Sequence, residues 1–146
     1  MRYFIATVYL VANIIFFIGC KKDGGSSNPI IGTWELRQIQ ADMPTIDYSP
    51  GNGNLLIFSG SGYEKYTNGN LVKSGHYVLV SDASAEATVG LVIPPGQFTN
   101  RIIFDDDLVS SKTFVDISNN RLTLLSGSFP ADGGGKVSYE RIKDNH

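Results

Sequence analysis

From Ile30 onward the chain is a series of short stretches in which apolar and polar residues alternate, separated by clusters of Gly, Pro, Asn, Asp and Ser. A two-residue period marks a strand with one buried face, and no helical period persists. Thr33 to Gln40 puts Trp34 and Leu36 on one face and Glu35 and Arg37 on the other. Asn54 to Ser59 reads as a second strand. Tyr63 to Thr67 and Leu71 to Val80 flank Asn68-Gly69-Asn70, and Asn-Gly tolerates positive φ at both centres of a tight hairpin turn. Ala87 to Ile93, Arg101 to Phe104, Lys112 to Ile117, Arg121 to Leu125 and Lys136 to Ile142 continue the series, giving about nine strands. Several separators are hairpin length, which predicts an all-β, antiparallel up-and-down meander, and closing it into a barrel removes exposed edges. The stretch Ala41 to Gly53, with two Pro and two Gly, has room for a loop or one helical turn lying over one end of that barrel.

The N-terminal stretch follows another pattern. Tyr3 to Ile18 is almost unbroken apolar sequence, interrupted by Thr7 and Asn13, and it turns polar at Lys21-Lys22-Asp23. A positive start, an apolar run of roughly 7 to 15 residues and a small residue before the cut make an export signal. Gly19-Cys20 resembles the lipobox of bacterial lipoproteins, in which the Cys is lipidated on sulfur and becomes the new first residue. The resemblance implies a cleaved leader over residues 1–19 and lipidation of Cys20. Two or more acyl chains, at about 0.8 kcal/mol per buried methylene, would anchor the protein durably without a membrane helix. Residues 20–29, with no apolar side chain after Cys20, read as a flexible tether, and residues 30–143 as one domain.

Composition narrows the picture further. The 146 residues leave room for one ordinary domain, and the single Cys forms no internal disulfide. A net charge of −2, from 12 basic and 14 acidic residues, does not attract a nucleic-acid backbone.

Gly32-Thr33-Trp34 at the head of the first strand resembles the Gly-x-Trp signature of lipocalins, and Tyr139-Glu140-Arg141 supplies an Arg on the last strand. Phe58, Gly62-Tyr63, Gly75-His76-Tyr77 and Asn120-Arg121-Leu122-Thr123-Leu124 resemble the spacing of small lipocalin-like lipoproteins of Bacteroidetes, over roughly Ile30 to Ile142. The resemblance implies a lipocalin-like barrel of eight or nine strands. In it Gly32, Trp34 and Arg141 would close the bottom, with the guanidinium over the indole. It also implies a small hydrophobic or amphipathic ligand at the barrel mouth.

Catalytic patterns are sparse. The histidines are His76, within a predicted strand, and the terminal His146, and there is no Gly-x-Ser-x-Gly elbow. Gly133-Gly134-Gly135-Lys136 lacks the flanking residues of a phosphate loop and reads as a flexible hairpin turn. Asp105-Asp106-Asp107 offers hard oxygen ligands without the spacing of a calcium loop, so a solvated turn is expected. Tyr63, Tyr66 and Tyr77 could stack on a ligand, yet β-propensity alone places them on strands.

The sequence therefore predicts a non-enzymatic, cofactor-free envelope lipoprotein at the outer membrane or cell surface, attached by lipid on Cys20. A barrel carrying a small ligand and a filled barrel that contacts another protein or a glycan both remain open. A cavity below about 300 Å³ would count against the carrier reading, since drug-sized pockets run from about that volume upward.

Overall fold

The computed structural model describes residues 28–41 and 44–142. Nine antiparallel strands form one sheet: β1 (Gly32–Gln40), β2 (Ile46–Asp47), β3 (Leu55–Ser59), β4 (Gly62–Thr67), β5 (Asn70–Ser81), β6 (Asn100–Phe104), β7 (Thr113–Ser118), β8 (Arg121–Ser126) and β9 (Gly135–Arg141). Each strand from β3 to β9 pairs with its sequence neighbour. β9 returns to β1, from Trp34 opposite Arg141 to Gln40 opposite Lys136, so eight strands close into an up-and-down barrel. Short β2 adds to β1 at Gln38 and Ile39. The β4–β5 connection is the expected two-residue turn, with Asn68 and Gly69 both at positive φ. Asn119 and Asn120 make the β7–β8 turn in the same way.

One end of the barrel is stoppered. Trp34 is fully buried, its indole N–H donates to the Ile30 carbonyl at 2.7 Å, and the Arg141 guanidinium lies 4.2 Å over its ring. Arg141 also donates to the carbonyls of Ile31 and Pro29, which ties the incoming chain across the barrel floor. Gly32 sits beneath this fork at φ +133°, where a Cβ would overlap the guanidinium. Above the floor the lumen is filled by Phe58, Tyr77, Ile102, Val115 and Leu122, and Phe58 packs edge-on against Tyr77 with ring centroids 4.8 Å apart.

Adjacent apolar residues on β7 and β8, Phe114-Val115 and Leu124-Leu125, point to opposite sides of the wall. Their outer members, Phe114 and Leu125, need a cover, and the β5–β6 connection supplies it. Here the expected strand at Ala87 to Ile93 is replaced by a helix, α1 (Ala85–Val89). The Ala-Glu-Ala run favours helix, Gly90 ends it in the left-handed conformation, and Ala85 and Val89, four residues apart, bury the same face onto Phe114 and Leu125. Asp82 pins the start of this connection. Hydrogen bonds from Ser84 and Lys112 hold its carboxyl well below the usual range.

The β8–β9 connection is also more built than a flexible turn. A 3-10 turn at Phe129–Ala131 lays the Phe129 ring on the backbone of buried Gly134, where a Cβ would not fit. Between Ala41 and Gly53 the described residues contain β2 and no helical turn. The proposed leader, Cys20 and most of the tether lie outside the described residues. Among the described residues no helix is long and apolar enough to cross a membrane.

Replacing Trp34 with Ala removes a fully buried indole and the surface on which Arg141 rests. Urea unfolding is expected to show a loss of about 3 to 5 kcal/mol. Arg141→Lys keeps the charge but not the fork that reaches two carbonyls, and about 1 to 2 kcal/mol should be lost. An unchanged unfolding midpoint in both variants would mean that this end is closed by other contacts.

Candidate functional site

The opposite end of the barrel is open, and it is where inward-facing positions stop being filled. Leu56 on β3, Tyr63 on β4, Phe104 on β6, Leu124 on β8 and Tyr139 on β9 line a cavity of about 170 Å³, together with Lys65 and Lys73. A second recess of about 240 Å³ lies between Leu36, Ile39, Tyr48 and Val137, and it shares Lys65 and Tyr139 with the first. The two recesses therefore meet at one lysine and one tyrosine. Aromatic packing makes the floor: Tyr63 meets Phe104 edge-on at 4.7 Å, and Phe104 stacks over Phe58 at 6.5 Å.

Two inward lysines at an apolar mouth follow from strand register. Lys65 pairs directly with Lys73 across the β4–β5 hairpin, because a bulge after Lys65 shifts the alignment that the Asn68-Gly69 turn alone would set. Like charges placed opposite each other are unfavourable. Lys73 is relieved by Asp105, whose Oδ2 lies 2.9 Å from its ammonium and also accepts from the Tyr63 hydroxyl at 2.8 Å. The other Asp105 oxygen accepts from the backbone N–H of His76. Gly75 makes room for this carboxylate, since a Cβ there would collide with it. The ion pair with Lys73, and then the Tyr63 hydroxyl, hold the Asp105 carboxyl below its ordinary value. Asp105 in turn raises Lys73, while burial raises Tyr63. The Asp105 carboxylate thus ties Lys73 on β5 to Tyr63 on β4.

Lys65 differs from Lys73 in having no hydrogen-bond or ion-pair partner among the described residues. The Tyr139 hydroxyl also has no protein partner among the described residues, but it reaches solvent although the residue as a whole is buried. By contrast, the hydroxyls of Tyr63, Tyr66 and Tyr77 donate to Asp105, Glu64 and the Gly60 carbonyl. Burial pushes the Tyr139 hydroxyl up to about 12, so it remains a donor.

The segment over this end is held from outside the barrel. Glu35, 4% exposed on the outer face of β1, accepts from the Gly51 N–H at 2.9 Å and from Arg37 at 2.6 Å. The Tyr48 N–H donates to the Arg37 carbonyl, and Asn52 reaches the Leu36 carbonyl. These contacts fix the loop that brings Tyr48 to the second recess. Burial opposes ionisation of Glu35, but hydrogen bonds from Arg37 and Gly51 and the charge of Arg37 outweigh it and hold the carboxyl below its ordinary value.

Of the residues singled out from sequence, Gly32, Trp34 and Arg141 meet at the closed end and line neither recess. Tyr63 and Tyr77 are buried, and Tyr66 is half-buried on the outer rim. The three adjacent aspartates diverge: Asp105 turns to Tyr63 and Lys73, Asp106 to His76, and Asp107 to the backbone N–H groups of Val109 and Ser110. His146 lies outside the described residues. Lys65, Lys73 and Tyr139 were not singled out, although their parity with Tyr63, Tyr77 and Val137 on their strands is a signal that they face inward. A larger cavity, about 330 Å³, opens beside Asn28 and Pro29 at the closed end. Its polar side chains are Asn28, Thr99, Asn100 and Asp116.

A group whose folded pKa is depressed contributes stability above its unfolded pKa, and that contribution disappears as pH falls through the folded value. Wild-type protein should therefore melt above Glu35→Gln at neutral pH, and the gap should close as pH drops below about 4. Melting curves of the pair across acid pH test this, and a gap independent of pH would remove Glu35 as the acid-sensitive anchor of the Tyr48 loop.

Compared with known proteins, the chain matches no family model, no curated protein and no solved structure.

Proposed function

We propose that this is an exported, lipid-anchored envelope protein, at the outer membrane or cell surface, whose barrel binds a small hydrophobic or amphipathic ligand at its open end without chemical conversion. The observation that carries this reading is the pair of adjoining apolar recesses at the open end of the barrel. Each is smaller than the roughly 300 to 1,000 Å³ of drug-sized pockets, so the ligand is short. The leader ending in Gly19-Cys20 supports the anchor. Pro29 is held at the closed end by Arg141, so a lipid on Cys20 would attach the barrel by its floor and leave the mouth turned to the aqueous phase. The tether extends at most to about 30 Å, which keeps the domain near the membrane.

A surface accessory role, with the barrel meeting another protein or a glycan, has its own support. Leu71 and Val72 beside the β4–β5 turn, and Leu108 and Val109 in the β6–β7 loop, are all more than half exposed. Exposed aliphatic groups at one end of a domain are a common mark of contact surfaces.

Native mass spectrometry of the full chain, purified from its own envelope, distinguishes these readings. Wild-type protein should retain a small molecule, and Leu124→Trp, which fills the first recess, should lose it while keeping the wild-type melting temperature. An empty wild-type barrel, or equal retention by both proteins, would overturn the carrier reading. Co-purification of a stoichiometric protein would favour the accessory role.

A further inference from the structure

We infer that the cavity at the closed end is a second binding site, independent of the open-end recesses, and that it takes a small organic amine. The ammonium is set against the Asp116 carboxylate, and the apolar part against Leu79, Phe98 and Ile117. At about 330 Å³ this cavity reaches the range of small-molecule pockets, which neither open-end recess does. Its walls combine apolar side chains with a few polar groups, the usual make-up of such a pocket. The backbone marks the place as well. Phe98 stands at φ +52°, in the left-handed region that a bulky aromatic residue rarely adopts, and surrounding contacts have to hold it there. They come from Val89, Phe114 and Leu125, among which Phe98 is buried. Strain that the fold holds in place gathers at ligand clamps. Another wall is equally fixed, because the Pro29 carbonyl accepts from Arg141 and the Asn28 carbonyl accepts from the Ile31 N–H at 3.0 Å.

Charge and hydrogen bonding then choose the ligand. Asp116 is the one charged side chain among the described residues that line the cavity. One of its oxygens accepts from the Ser118 hydroxyl at 3.2 Å. The other has no donor among the described residues, and no described cation lies within ion-pair distance of the carboxylate. Asn100 stands in a similar position: its amide N–H donates to the Thr99 hydroxyl oxygen at 3.3 Å, which leaves its carbonyl oxygen without a described donor. Two open acceptors, one of them charged, match an ammonium, which offers three donors and a positive charge. A carboxylate or phosphate would meet like charge at Asp116, with no lysine, arginine or histidine among the described lining residues to offset it. A neutral alcohol donates a single hydrogen bond and leaves the carboxylate without a counter-charge. The apolar walls suit a hydrocarbon ring or short chain behind the ammonium.

The test uses the full chain in nanodiscs of phosphatidylcholine, with empty nanodiscs as reference, titrated calorimetrically at neutral pH. The probes are cyclohexylamine, cyclohexanol and cyclohexanecarboxylate, which share a ring and differ in the group they present. Cyclohexylamine should bind at least about tenfold more tightly than cyclohexanol. Asp116→Asn keeps the shape of the side chain and removes its charge, so it should weaken cyclohexylamine roughly tenfold and leave cyclohexanol unchanged. Leu124→Trp, which fills an open-end recess, should leave cyclohexylamine binding intact. Should Asp116→Asn fail to fold, Asn100→Asp carries the comparison, since Asn100 is exposed: a second carboxylate at the cavity should tighten cyclohexylamine about threefold. Equal affinity for the amine and the alcohol, or amine binding untouched by the substitutions at 116 and 100, would overturn the amine site. Tighter binding of cyclohexanecarboxylate than of cyclohexylamine would overturn the choice of charge. Loss of amine binding in Leu124→Trp would place the amine at the open end, overturning this inference and leaving the carrier reading standing. Binding of none of the three would overturn the closed-end site.

Discussion

The contact between the Arg141 guanidinium and the Trp34 indole organises this molecule. A planar cation over an aromatic face gains electrostatically from the ring, and here it also hides that face from water. Its donors then reach the carbonyls of Pro29 and Ile31, so the same side chain fastens the incoming chain to the last strand. The geometry leaves no space for a side chain at position 32, which is why glycine stands there. First and last strands are brought into register by this contact, and with β1 paired to β9 no long sheet edge is left open.

Closing one end so tightly concentrates the remaining irregularity at the other. Bulges in β1 and β5 bend the wall there and shift which residues face inward: Leu36 and Ile39, three apart, both point into the barrel. The mouth consequently holds a feature that stability alone would not favour, a pair of directly opposed lysines. Departures from local consistency of this kind are commonly found where proteins bind something. The tie made by Asp105, Tyr63 and Lys73 offsets part of the strain, and Glu35 fixes the overlying loop from the outside.

Period-two alternation was sufficient for eight of the nine strands expected from sequence, because a half-buried strand writes its buried face directly into the order of residues. Asn68-Gly69 announced its turn for a similarly local reason, since few other pairs accept positive φ twice. Ala87 to Ile93 misled because Thr88, Val89 and the aliphatic run after Gly90 resemble a strand, whereas the burial of α1 depends on Phe114 and Leu125, distant in sequence. The same limit applied to the candidate site. Lys73 shares parity with Tyr77 and so could be assigned to the inner face, but the Asn-Gly turn by itself pairs Lys65 with Val72, and only the bulge sets it opposite Lys73.

The sequence by itself determined the all-β class, the antiparallel meander, the hairpin at Asn68-Gly69 and the alternation that sorts inside from outside. Each of these depends on neighbours within a few residues, so each is written locally. Which end of the barrel is sealed, where the lumen stays open, and which polar groups are left facing it without partners were decided by tertiary structure. Those outcomes depend on the sum of side-chain volumes from several strands and on two bulges that change register, and neither quantity resides in any one segment of the chain.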